Sequence, residues 1–195
     1  MSHSASTGEH FRRFRALLGR VLAVLAGSSI ALANPSDPAL EHQVKAECIE
    51  RFTRFVDWPP DLLRSSDTAF VVCTLGEGPL GAQLERVVVA RGKLKDHPAR
   101  TRRLVRNEAA DGCHILYISP TERDSLGKVV EQTRGKPILS VSDTPGFAQQ
   151  GVIINLFLDE SSRVRFEINS EAARASGLRI SAKLMSLARL VGTRG

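Results

Sequence analysis

Several common chemistries are missing from this sequence. Its three cysteines, Cys48, Cys73 and Cys113, show no metal-ligand spacing, which leaves a zinc site without support. There is no HExxH pair, paired-carboxylate motif, phosphate-binding P-loop or G-x-S-x-G elbow, so the usual local signatures of hydrolases and nucleotide hydrolases are absent. A Ser-His-Asp set drawn from distant positions is not excluded by that absence. Aromatic residues are scarce, at 5%. None interleaves the basic stretch LKDHPARTRRLVR, so the stacking platform of a single-strand nucleic-acid binder is lacking. No internal repeat or low-complexity tract occurs after the first 33 residues.

The first 33 residues read as an export signal. Arg12, Arg13 and Arg15 precede an apolar stretch over residues 16–33 that is interrupted by Arg20 and Gly27-Ser28-Ser29. It closes on Ala31-Leu32-Ala33, with small residues at the positions a signal peptidase reads. The unbroken apolar part is shorter than the roughly 20 residues a bilayer span needs. Cleavage after Ala33 predicts a periplasmic domain over residues 34–195. The leader takes four of the 27 basic and one of the 21 acidic residues, leaving 23 against 20 and a net charge of +3. That balance is too small to argue for nucleic acid.

The rest alternates between two periods. LEHQVKAECIERFTRFVDWPP is helical, with Val44, Cys48, Phe52 and Phe55 on one face, joined by Ile49 and Val56. It must stop near Trp58, because Pro59 and Pro60 cannot continue it. AFVVCTLG, GCHILYIS and PILSVSD are continuous apolar runs of strand length, as in strands buried on both faces. GAQLERVVVARG and DSLGKVVEQTRGK between them read as helices, and PARTRRLVR as an exposed strand. GVIINLFLDESSRVRFEIN reads as an antiparallel hairpin, and the remainder, SEAARASGLRISAKLMSLARLV, as helix broken at Gly177. Strand–helix alternation predicts an α/β fold. It has a mostly parallel sheet, an antiparallel C-terminal edge hairpin and helices on both faces.

Gly76-Glu77-Gly78-Pro79-Leu80-Gly81 matches the dinucleotide fingerprint between a strand and a helix. The next strand, however, ends in Val105-Arg106-Asn107 without the required acid, and Glu77 sits where pyrophosphate would lie. A tight turn needing glycine dihedrals is the plainer reading, and no cofactor is expected. Cys73 lies within one buried strand and Cys113 opens another. Neighbouring parallel strands can bring them to disulfide distance, and an oxidising compartment favours the bond. Cys48 reads as a buried free thiol, with an intermolecular disulfide as the alternative. Trp58 is a core aromatic at a helix stop or a ligand platform. Arg165, Glu167 and Asn169 alternate along one strand face, and Arg179 follows the Gly177 break. These four form a solvated face with a helix cap, or a site for a polar ligand or partner.

KAECIERFTRFVDWP, FVVCTLGEGPLG, CHILYIS, PILSVSD with Phe147, GVIINLFL and FEINSEAARASGLRISAKLMSLARLV occur in order over about 150 residues. In this the chain resembles the YfiR family of exported regulators. The resemblance implies a periplasmic α/β protein that is not an enzyme, with Cys73 and Cys113 at a family disulfide position. Some relatives have a second, later cysteine pair, and this chain has none. The resemblance further implies a repressor of an inner-membrane diguanylate cyclase, or of another membrane sensor, that an OmpA-like outer-membrane lipoprotein can sequester. The output would be cyclic-di-GMP level and biofilm formation. The Leu184, Leu187, Leu190 and Val191 stripe reads as core-facing, with partner contact as the alternative. A homodimer is compatible with the sequence but not set by it. A periplasmic small-molecule sensor module is the alternative function.

Overall fold

The computed structural model describes residues 37–192; the expected leader lies outside the described residues. The first helix, α1 (Pro38–Phe52), starts on Asp37, whose carboxylate accepts the Ala39 N–H at 2.9 Å, and has proline in its first turn. Its buried face carries Ala46, Ile49 and Phe52 together with Lys45 and Glu50. Val44 is exposed and Cys48 only half-buried, so the inward face is rotated from the one the spacing of Val44, Cys48 and Phe55 suggested. The helix also ends before the prolines. Hydrogen-bonded turns over residues 50–55 lead into a two-residue strand, β1 (Val56–Asp57).

The main sheet then builds from β2 (Phe70–Leu75), α2 (Pro79–Arg91), β3 (Lys93–Leu94), β4 (His97–Leu104), β5 (Ile115–Ile118), α3 (Leu126–Thr133) and β6 (Leu139–Ser142). The chain continues through β7 (Ile154–Leu158), β8 (Val164–Asn169), α4 (Ser170–Ala175), β9 (Arg179–Ile180, outside the main sheet), α5 (Ala182–Leu187) and β10 (Arg189–Val191). The eight strands lie in the order β10-β8-β7-β6-β5-β2-β4-β3. β4, β2, β5, β6 and β7 are mutually parallel, and β7 and β8 form the expected antiparallel hairpin. The predicted mostly parallel α/β architecture is therefore present.

Side-chain alternation splits the core into two layers. Phe70 and Val72 of β2 and Ile115 and Tyr117 of β5 pack with α1 and α2. Cys73 and Leu75, with Leu116 and Ile118, pack on the other face with Leu126 and Val129 of α3. Successive strand residues point to opposite faces, so an uninterrupted apolar run fills both layers.

The last segment departs from expectation. Only α4 and α5, six residues each, are helical. Between them β9 pairs antiparallel with β1, and after them β10 runs parallel beside β8. Of the anticipated stripe only Leu184 is deeply buried, whereas Leu187 is 64% and Leu190 54% exposed. Without β10 the edge of β8 would present unpaired backbone groups, and residues 189–191 pair with them.

Candidate functional site

The glycine turn between β2 and α2 is the first place to look for a ligand, because it lies at the carboxyl ends of parallel strands. Gly76 has φ +79°, and a Cβ there would come within 2.5 Å of Thr121 Oγ1 and 2.9 Å of Glu122 Cγ. The Ser119–Glu122 loop fills the space over the turn, and the Ser119 hydroxyl donates to the Glu77 carbonyl. The adjoining cleft, about 620 Å³, is walled by Glu77, Glu85, Glu122, Arg103 and Arg106 among others. Arg103 is bidentate to Glu85 at 2.7 and 2.6 Å, and Arg106 reaches Glu122 at 3.3 Å. Arg103 hydrogen bonding holds the Glu85 carboxyl below the usual carboxylate range, against its partial burial. Both cations are committed to carboxylates, and the glycine serves close backbone packing.

Cys73 and Cys113 are joined, with Cα atoms 5.8 Å apart. Arg102 donates to the Ala109 and Asp111 carbonyls at 3.2 and 3.0 Å and lies 3.4 Å from Cys113 Sγ, so it braces the loop that carries this cysteine. Cys48 is free. Partial burial raises its thiol pKa.

Trp58 is buried. Its indole N–H donates to the His114 carbonyl at 3.2 Å and its ring meets Phe70 edge-on at 5.0 Å. It is a core residue, and its polar tip is spent on the backbone. His114 stacks on Phe70, and its Nδ1 accepts the Val71 N–H at 3.0 Å. Burial, helped by His97, lowers the His114 pKa and favours the neutral ring that this hydrogen bond needs.

The four anticipated polar residues separate. Arg165 is exposed and bonds Asp159 at 3.1 Å, in the hairpin turn that Arg163 also holds. The Arg163 main-chain N–H, with the Arg163 and Arg165 side chains, holds Asp159 far below the usual carboxylate range. Asn169 caps α4, accepting from Glu171 and Ala172 N–H at 3.1 and 2.9 Å, and donates to the Ala148 carbonyl at 2.7 Å. Arg179 stands in the separate two-stranded sheet opposite Asp57. Glu167 lines a cavity. It is 3% exposed, pairs with Arg189 across the β8–β10 register, and accepts from Gln149 Nε2 at 3.3 Å.

A buried network that sequence reasoning missed lies at the carboxyl end of β6. Asp143 accepts from Lys45 Nζ and from the Tyr117 hydroxyl, each at 3.0 Å, and Lys45 also pairs with Glu41 at 2.6 Å. Burial works against the charge on Lys45, but Glu41 and Asp143 outweigh it and raise its pKa. Burial, reinforced by Asp143, holds Tyr117 far above the ordinary phenol range. The network ties α1 to β5 and β6. The position of Asp143, directly after a buried strand, was the one clue in the sequence.

Apolar residues also reach solvent. Leu40 and Val44 of α1 and Leu158 of β7 border a groove of about 430 Å³, and Leu187 and Leu190 project near the C-terminal end.

Residues 42–189 match the family described as YfiR/HmsC-like, most of the chain's length. The chain belongs to that family. No curated protein matches it by sequence. Among solved structures it is similar to the ABC domain in complex with L-Trp from Streptococcus pneumonia. The TM-score is 0.52 and the identity 14%, over 77% of this chain and 60% of that one. It is also similar to a conserved domain protein from Vibrio cholerae, with TM-score 0.48 and 11% identity over 76% and 59% of the two chains. A third is a ligand-free, open substrate-binding protein with adhesive properties from Clostridium difficile, with TM-score 0.47 and 9% identity over 69% and 59%. The chain spans about three fifths of the length of these structures. At such identity the first likeness shows that this YfiR/HmsC-like chain shares a fold with that domain, and no more. Membership in the family fits a periplasmic regulator.

Proposed function

We propose that this protein is a periplasmic repressor that binds a membrane-anchored diguanylate cyclase and holds it inactive, lowering cyclic-di-GMP and restraining biofilm formation. An OmpA-like outer-membrane lipoprotein would relieve the repression by sequestering the protein. The observation that carries this reading is the YfiR/HmsC-like match over residues 42–189. Supporting it, the Cys73–Cys113 disulfide suits an oxidising compartment. No described helix is long and apolar enough to cross a membrane. Repression works by differential affinity. The protein must bind the inactive cyclase more tightly than the active one, and each tenfold preference contributes about 1.4 kcal/mol of bias. Leu187 and Leu190, exposed beside Lys183 and Arg189, are the contact surface we favour.

Crosslinking in intact cells, with mass spectrometry of the captured species, tests the partner. The expected result is a membrane cyclase with a periplasmic segment, together with raised cyclic-di-GMP when the gene is deleted. Unchanged cyclic-di-GMP in the deletion strain and no membrane enzyme among the crosslinks would refute the proposal. A small-molecule sensor is the second reading, favoured by the fold shared with a domain solved in complex with L-Trp. It predicts a ligand-dependent thermal shift without any protein partner.

A further inference from the structure

We propose that the cavity bounded by Gln149, Asn155, Phe157, Glu167 and Arg189 is a receptor for an organic cation bearing several N–H donors, a guanidinium or an ammonium, and that Arg189 is its internal occupant. The cavity measures about 470 Å³ and opens between the β7–β8 hairpin, β10 and the loop after β6. Three observations converge on it. Asn155 is 1% exposed, and its Oδ1 has no hydrogen-bond partner. Gln149 Oε1 is likewise buried and unpartnered. The Gln149 amide cannot simply be turned over to mend this, because its Nε2 faces the Glu167 carboxylate at 3.3 Å. Buried acceptors are nearly always satisfied in native proteins. Gln149 and Asn155 both line this cavity, and their amide oxygens are closed off from solvent, so a donor reaches them only when the cavity wall moves.

The third observation identifies the donor. Glu167 is a buried carboxylate, and the guanidinium that pairs with it also lies over the Phe157 ring, 4.5 Å from its centre. A carboxylate beside an aromatic face is a setting that binds guanidinium and ammonium groups. The seat is demonstrated by the chain's own arginine. Yet Arg189 fills it incompletely, since it leaves both amide oxygens without a partner. Its side chain is also 62% exposed, and its strand has only three residues at the sheet edge. A free cation with more than one N–H to offer would displace Arg189 and engage the Gln149 and Asn155 oxygens as well as Glu167. Release of Arg189 would loosen β10, which carries the exposed Leu190. The inference stands apart from the identity of any protein partner, because it concerns direct binding to the purified protein.

Isothermal titration of the purified protein with agmatine, which carries both a guanidinium and an ammonium, tests it. Arg189→Ala and Arg189→Gln are expected to bind agmatine at least tenfold more tightly than the natural sequence, because they remove the competitor. Adding Glu167→Gln to Arg189→Ala is expected to abolish binding. Asn155→Leu, which removes an unpartnered polar group without opening a cavity, is expected to weaken binding severalfold while leaving the melting temperature unchanged or higher. It therefore keeps the test informative if Glu167→Gln fails to fold. Titration with N-acetylarginine amide separates the two sources of the cation. Binding of this probe points to an arginine side chain presented by a protein, and binding of agmatine alone to a free small cation. Equal affinity in the natural and Arg189→Ala proteins, or binding indifferent to Glu167 and Asn155, would overturn the proposal.

Discussion

Removing the Cys73–Cys113 bond is the perturbation whose size follows most directly from the structure. The bond joins positions 40 residues apart and encloses α2, β3 and β4. In the chain-entropy account, closing a loop of that size in the unfolded state is worth about 4 kcal/mol. Cys73 is fully buried and Cys113 nearly so, so Cys73→Ala/Cys113→Ala also loses a little packing, about 1 kcal/mol at most. The combined loss is expected at about 3–5 kcal/mol, since native strain and residual unfolded structure reduce the entropic part. For a domain of this length that lowers the melting temperature by about 6–20 °C. Urea unfolding of the oxidised protein, the reduced protein and the double variant measures it. Reduction and substitution should give nearly the same midpoint, since they act on the same loop. The oxidised protein, once unfolded, should show a single thiol to a thiol reagent, Cys48. A difference below about 1 kcal/mol would mean that the loop is already ordered when the rest of the chain is unfolded, and the reasoning would fail.

Two further expectations concern buried charge. Lys45→Met should destabilise the protein by about 3 kcal/mol, because it strands Asp143 beside Tyr117 with no cation in contact; thermal or urea denaturation reads this directly. His114 is held neutral, with its pKa below the ordinary value of 6.5, so the unfolded chain binds the extra proton first as pH falls. Stability should therefore be flat above about pH 7 and decline as pH drops through the ordinary histidine range towards the lowered folded value. His114→Asn, whose side-chain oxygen can still accept the Val71 N–H, should flatten that slope in stability measurements from pH 7 down to pH 5.

The three apolar strand runs, the glycine-bounded helices and the hairpin were legible because each is set within about 10 residues by periodicity and turn chemistry. The disulfide was legible because Cys73 lies within β2 and Cys113 just before β5, the parallel neighbour that the alternation of elements already implied. A helix cap after the last strand of the hairpin was recognisable for a similar reason, since capping is local, and the structure assigns it to Asn169. Residues 179–180 and 189–191 were misread because the spacing of the whole stretch suits a helix, which forms only over Ala182–Leu187.

The amino-acid order by itself determined which segments become strands buried on both faces and where the chain turns, for burial and backbone dihedrals act between near neighbours. Only the tertiary structure decided that residues 189–191 leave helix for the open edge of β8, because backbone groups distant in the chain had to be paired there. It alone brought Lys45 to Asp143 across 98 positions and Arg189 to Glu167 across 22. Charge pairing of that kind depends on distance in space, which the folded sheet sets and chain position does not.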